Sequence, residues 1–188
     1  MDSATNPCVL IQTDLGDILL ELYLQQSPVT VRNFLRYIEE NRFAEATFYR
    51  VVRMDNQPDN QIKIEVIQGG LKVDNHPLSL PPIPHESTQQ SGILHTDGII
   101  SMARYEPGTA SSDFFICVGD QPELDYGGRR NPDGAGFAAF GKVIDGMDVV
   151  RKIYDVPLSA TAGEGVMRGQ MIAKPVRVLT VRRLPPAM

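Results

Sequence analysis

Thr47 to Gly70 reads TFYRVVRMDNQPDNQIKIEVIQGG. Phe48, Tyr49, Val51 and Val52 make the front of this stretch a β-branched, aromatic strand, yet Arg50 sits in its middle. A guanidinium is seldom buried unless something pairs with it or uses it, so Arg50 is either a surface side chain lying along apolar neighbours or a functional group on a strand. The run Ile62 to Gln68 is again strand-like and ends in Gly69-Gly70.

Working outward, Cys8–Thr13 and Asp17–Tyr23 flank Asp14-Leu15-Gly16 and predict an opening hairpin. A helix follows, with Ser27 as expected N-cap, Pro28 at its first position, and Val31, Phe34, Leu35 and Ile38 at i, i+3, i+4 and i+7. Further strands are expected at Gly98–Ala103, Asp113–Val118, Ala139–Ile144 and Pro175–Arg183, with a second helix over Met147–Tyr154. This pattern predicts an all-β closed barrel or sandwich capped by two helices, in one domain over 1–188 with its core at about 8–183. The long segments Leu71–Thr96, Tyr105–Ser112 and Gln121–Gly136 are where function is expected on such a scaffold.

The chain has 188 residues, 42% of them hydrophobic and 22% charged, with a net charge of −5. That length suits one sizeable core, and the acidic balance argues against general affinity for nucleic acid or anionic membrane. The two cysteines, Cys8 and Cys117, lie outside any metal-spaced pattern and are read as packed thiols. The N-terminus has no basic segment followed by an apolar one, which gives a soluble, cytoplasmic expectation, or a periplasmic one if a signal peptide has been removed. Chain length is compatible with a monomer.

Several chemistries lack their signatures. Neither GxxxxGK[ST] nor GxGxxG is present, nor GxSxG or HExxH. His76, His85 and His95 fall in loop-like sequence and read as solvated or loop-pinning rather than as metal ligands. Asn131-Pro132-Asp133-Gly134 lacks the alternating oxygen ligands of a calcium loop. An enzyme built on this sequence would need no nucleophile, metal or cofactor.

Five segments carry a resemblance: FYRVVR (Phe48–Arg53), VIQGG (Val66–Gly70), GIISMAR (Gly98–Arg104), SDFFICVGDQPELD (Ser112–Asp125) and FGKVIDGMDVVRKI (Phe140–Ile153). In this order and spacing the chain resembles the cyclophilins, the barrel-type peptidyl-prolyl cis/trans isomerases, over about Leu10 to Arg183. The stretch DYGGRRNPDGAGFAAFGKV looks like the bacterial branch. The resemblance implies a closed eight-stranded antiparallel barrel with a helix over each end, no cofactor, and a groove on the outside for proline-containing peptides and unfolded or folding proteins.

Carried over residue by residue, the resemblance makes Arg50 the catalytic arginine, Gln68 the active-site glutamine and Phe115 the pocket floor. Val66 falls where the family usually has methionine, Leu124 is a wall, and Ala103 and Arg104 match backbone positions that pair with substrate. Met102 is either a pocket residue or core. Glu123 stands where a tryptophan is common, Phe137 where the pocket histidine is, and Asp113 where a second glutamine is. Loss of that tryptophan donor implies weak cyclosporin binding. Asp113, if it reached Arg50, would orient the guanidinium and compete for its donors. The expected function is isomerisation of X–Pro bonds in protein folding; the alternative is a cyclophilin-fold module that binds such segments without turnover.

Overall fold

The computed structural model describes residues 5–186, so the ends of the expected domain, 1–4 and 187–188, lie outside the described residues. The strands are β1 (Cys8–Thr13), β2 (Gly16–Leu22), β3 (Thr47–Val52), β4 (Val66–Gly70), β5 (Ile99–Met102), β6 (Phe114–Cys117), β7 (Ala139–Asp145) and β8 (Met171–Arg183). They close into an antiparallel barrel in the order β1-β2-β7-β5-β6-β4-β3-β8. The helices are α1 (Pro28–Glu39), a single turn α2 (Thr88–Ser91) and α3 (Met147–Tyr154). No described helix is long and apolar enough to cross a membrane.

Strand alternation sorts side chains between an apolar interior and an outer face. Ile11, Ile18, Leu20, Phe48, Val51, Ile67, Ile100, Met102, Phe114 and Ile116 belong to the large interior cluster, whereas Val52, Val66, Ile99, Phe115, Cys117 and Leu124 form a second cluster outside it. The two helices close opposite ends. Phe34 of α1 packs against Phe114 and Phe140 with centroids 5.7 and 5.2 Å apart. At the other end α3 lies so close to the β1–β2 turn that a Cβ on Gly16 would fall 2.7 Å from Val149 Cγ2.

Three local features differ from the sequence reading. The strand expected from Ile62 begins only at Val66, because the buried Gln57 amide donates to Ile64 O (2.8 Å) and accepts from Ile64 N (3.2 Å) and so takes that backbone out of the ladder. The last strand starts earlier than Pro175, at Met171; Pro175, which has no N–H, falls in the irregular gap between the pairs Arg50↔Met171 and Phe48↔Val176. Ser27 does precede α1, but its hydroxyl donates to Ala139 O rather than capping the helix. The Glu86 carboxylate caps instead, accepting from Val29 N (3.2 Å) and Thr30 N (2.7 Å). Negative charge at a helix N-terminus is favourable through the same exposed N–H groups.

Candidate active site

Strict alternation from Phe48 would point Arg50 into the barrel interior with it. The structure avoids this with a bulge: the β3–β4 and β3–β8 registers both shift between Phe48 and Arg50. The extra residue, Tyr49, lets Phe48 and Val51 both enter the core while Tyr49 and Arg50 face outward together. Across the sheet, Arg50 pairs with Gln68 and Gln68 with Phe115, so three chain segments place these side chains in one row.

The row lines a groove of about 470 Å³. Arg50 is held by neutral acceptors: Nη1 donates to Gln68 Oε1 (2.9 Å), and Nε and Nη2 donate to Gln170 Oε1 (2.9 and 2.7 Å). Gln68 in turn donates to Tyr49 Oη at 2.8 Å, and burial pushes the Tyr49 phenol well above its usual range, so it stays protonated. Burial also lowers the Arg50 pKa. A guanidinium has five N–H groups, and three are used here, which leaves two for a bound molecule.

Beside the arginine lies an apolar pocket of Val66, Phe115, Leu124 and Phe137. Phe115 is fixed from two sides, edge-on to Phe137 (centroids 5.3 Å, interplanar 90°) and stacked on His95 (5.9 Å, 16°). His95 is itself pinned beneath the floor, with Nδ1 2.7 Å from Asp125 Oδ1 and Nε2 2.9 Å from Ser101 Oγ. Of the two readings for the loop histidines, this one is loop-pinning and fully enclosed. The buried Arg104 side chain lies over the Phe137 ring at 5.0 Å and is tied to Asp133 (2.9 Å) and Gly136 O (2.9 Å). Ala103 also lines the groove, with its N–H donated to Asp113 O.

The structure decides two points left open for this site, at Met102 and Asp113, and corrects one placement, that of Glu123. Met102 packs in the barrel interior, since the outward positions of β5 are Ile99 and Ser101 and the inward ones Ile100 and Met102. Glu123 does not line the groove; its carboxylate turns to Arg129, with Oε1 2.7 Å from Nη2, and also accepts from Arg129 N. Asp113 lines the groove but makes no ion pair with Arg50; its Oδ1 accepts from Lys72 N (3.0 Å) and Ser112 Oγ (3.4 Å). A Cβ on Gly70 would lie 2.1 Å from that oxygen, so the double glycine leaves room for the carboxylate. Burial raises the Asp113 pKa.

Sequence reasoning missed Gln170 and Arg130. Gln170 is separated from Arg50 by 120 positions and belongs to no recognisable motif. Arg130 enters the groove from the glycine-rich loop, where its Nη1 donates to Gln57 Oε1 (2.8 Å) and Ile62 O (2.6 Å). Among the described residues no group of three His, Cys, Asp or Glu side chains could hold a metal ion.

Comparison with known proteins bears on this arrangement. The family described as cyclophilin type peptidyl-prolyl cis-trans isomerase/CLD matches residues 8–182. A peptidyl-prolyl cis-trans isomerase of Acinetobacter baylyi is 35% identical over 178 residues, covering 94% of this chain and 85% of that protein. A solved cyclophilin-type isomerase of Cryptosporidium parvum superposes with a TM-score of 0.72 at 20% identity, covering 97% of this chain and 99% of that one. A second structure with that description, in the presence of the dipeptide Ala-Pro, gives a TM-score of 0.69 at 21% identity, covering 93% and 96%. With the barrel, the Arg50–Gln68–Phe115 row and a family match over nearly its whole length, the chain belongs to the cyclophilin-type peptidyl-prolyl cis-trans isomerases.

Proposed function

We propose that the groove seats the proline ring of an X–Pro segment on Phe115, between Val66, Leu124 and Phe137, and that Arg50 is the catalytic residue. Resonance opposes amide rotation with a barrier of about 18–20 kcal/mol. The two X–Pro isomers differ by only about 0.5–1 kcal/mol, yet they exchange over tens to hundreds of seconds. As the bond twists, the prolyl nitrogen loses conjugation and becomes a hydrogen-bond acceptor. A donor aimed at it stabilises the twisted state more than either planar state, which is the differential binding catalysis requires.

Arg50 supplies that donor. It stays charged, it lines the same groove as the pocket residues with two N–H groups uncommitted, and its partial burial strengthens the interaction relative to water. The observation that carries the assignment is its anchoring by neutral amide oxygens alone: Gln68 and Gln170 fix the fork without neutralising it. The apolar pocket holds the ring while the preceding residue rotates. The C. parvum relative studied in the presence of Ala-Pro supports a proline-containing peptide as the ligand class, and unfolded or folding proteins are the natural source of such segments. With Glu123 turned to Arg129, the groove gains no donor from that position, which supports weak cyclosporin binding.

Cis/trans exchange of a short proline peptide, followed by magnetisation transfer, tests the assignment. Wild type is expected to accelerate exchange, and Arg50→Ala to lose about 10²–10³-fold in kcat/KM, the range for deleting one transition-state donor. Acceleration retained in Arg50→Ala would remove Arg50 from the mechanism.

A further inference from the structure

The groove carries charges of both signs along β4. At the Gly70 end stand Asp113, Asp74, which accepts from Tyr105 Oη at 3.2 Å, and Lys72, whose Nζ lies 5.9 Å over the Tyr49 ring. At the Val66 end stands Arg130, bonded to Ile62 O on the segment leading into β4.

Arg130, like Arg50 and Arg53, has no carboxylate partner among the described residues. Arg36, Arg42, Arg104, Arg129, Arg151 and Arg177 each lie within 3.1 Å of a carboxylate oxygen. The most enclosed of these, Arg104, with 1% of its side chain exposed, is paired with Asp133. Arg130 is half-buried, yet among the described residues its only acceptors are an amide and a backbone carbonyl, both on Nη1, so Nε and Nη2 remain uncommitted. The charge that acts on it most is that of Arg50, which has the same sign and likewise no carboxylate partner. Burial first, and then Arg50, bring its pKa down to about 10, which leaves it protonated at neutral pH. A second guanidinium brought partly out of water in this cleft without a counter-charge, with Nε and Nη2 uncommitted, offers an anion donors and a favourable charge.

We propose that Arg130 forms a subsite for a carboxylate on the residue beside the substrate proline and is a specificity-determining residue, with Arg50 kept for the prolyl nitrogen. The ring sits on Phe115, and the acidic neighbour extends toward Arg130. The carboxylate has two sources, an Asp or Glu side chain or the free C-terminus of a chain ending in proline. The proposal rests on the isomerase reading for the placement of the ring.

The test uses blocked peptides that differ only beside proline: Ala-Ala-Pro-Glu-Ala, its Gln and Lys counterparts, and Ala-Glu-Pro-Ala against Ala-Gln-Pro-Ala. Ala-Ala-Pro with a free or amidated C-terminus forms the second arm. Wild type is expected to favour the acidic or free-carboxylate peptide in at least one register by about tenfold in kcat/KM at low salt, as for one close charge pair. Preference in the internal series assigns the side chain, and preference confined to the second arm assigns the terminus. Arg130→Gln should bring the Glu-to-Gln ratio to about one, and Arg130→Lys should retain part of it. Because the readout is a ratio within one protein, partial loss of folded protein does not affect it. Equal rates for acidic and neutral peptides with wild type, or an undiminished ratio in Arg130→Gln, would overturn the proposal. If no peptide is turned over, the isomerase reading fails, and the same ratio measured as Kd by chemical-shift titration still decides the subsite.

Discussion

One oxygen, Oε1 of Gln170, accepts both Nε–H and Nη2–H of Arg50, while the same side chain's amide nitrogen donates to Asn56 O at 2.9 Å. The arginine is thereby tied to the polar connection between β3 and β4 as well as to the sheet. Gln170 is a positioning residue: its removal frees the guanidinium to rotate about its stem. Gln170→Leu is expected to lower kcat/KM about tenfold, or about 1.4 kcal/mol in transition-state stabilisation, mainly through kcat. Gln170→Glu should lower it too, because a carboxylate would neutralise the fork. Full activity in both variants would show that Gln68 alone suffices.

The buried carboxyl of Asp113 gives a pH dependence. Burial holds its folded-state pKa above the ordinary value of 3.8. A group whose pKa is raised on folding contributes stability that is complete below its unfolded pKa and lost as pH rises through the folded one. At neutral pH the ionised carboxylate therefore opposes folding. Asp113→Asn keeps an oxygen for Lys72 N and Ser112, and should raise the melting temperature at pH 7 by about 2–4 °C, the shift that corresponds to about 1 kcal/mol in a domain of this size. The gain should shrink as pH falls toward 3.8. Melting curves from pH 3.5 to 8 check this; a gap that does not narrow would place the effect elsewhere.

Met102 and Val66 separate stability from binding. Met102 is 1% exposed inside the barrel, so Met102→Ala should cost about 2–5 kcal/mol in denaturant unfolding, with KM for a proline peptide unchanged in the folded fraction. Val66 packs in the outer cluster and lines the pocket. Val66→Ala should raise KM several-fold for a smaller stability loss. If Met102→Ala raised KM as much as Val66→Ala, the division between interior and pocket would be wrong.

Both cysteines are free, but they differ in environment: Cys117 is fully buried, with burial pushing its thiol far above the usual range, whereas Cys8 is partly exposed. A thiol reagent at pH 8 should modify no more than one thiol of the native protein, at Cys8, and the second only on unfolding. Mass spectrometry locates the adducts, and native modification of Cys117 would contradict the packing.

The strands were legible as short apolar, β-branched or aromatic runs between turn-forming segments, and α1 and α3 because their apolar spacing is helical. The boundaries that shifted did so for non-local reasons: Gln57 holds Ile64 out of the β4 ladder, and Glu86 takes the capping role assigned to Ser27 from a position 57 residues from Val29. At the site, motif order picked out Arg50, Gln68 and Phe115, whose placement then followed from sheet register. It could not reveal Gln170, which reaches Arg50 from the far end of the chain, nor Arg130, whose surroundings depend on how two loops fold over one another. Glu123 was misplaced because alignment gives a backbone position, whereas Arg129 decides where the side chain turns.

The closed strand order has a consequence for how clients are handled. A sheet with a free edge offers unpaired N–H and C=O groups to which an extended chain can add. Here every strand has two neighbours, so a bound peptide meets side chains and loop backbone but no open ladder to extend. A proline-containing segment is thus offered no strand to lengthen.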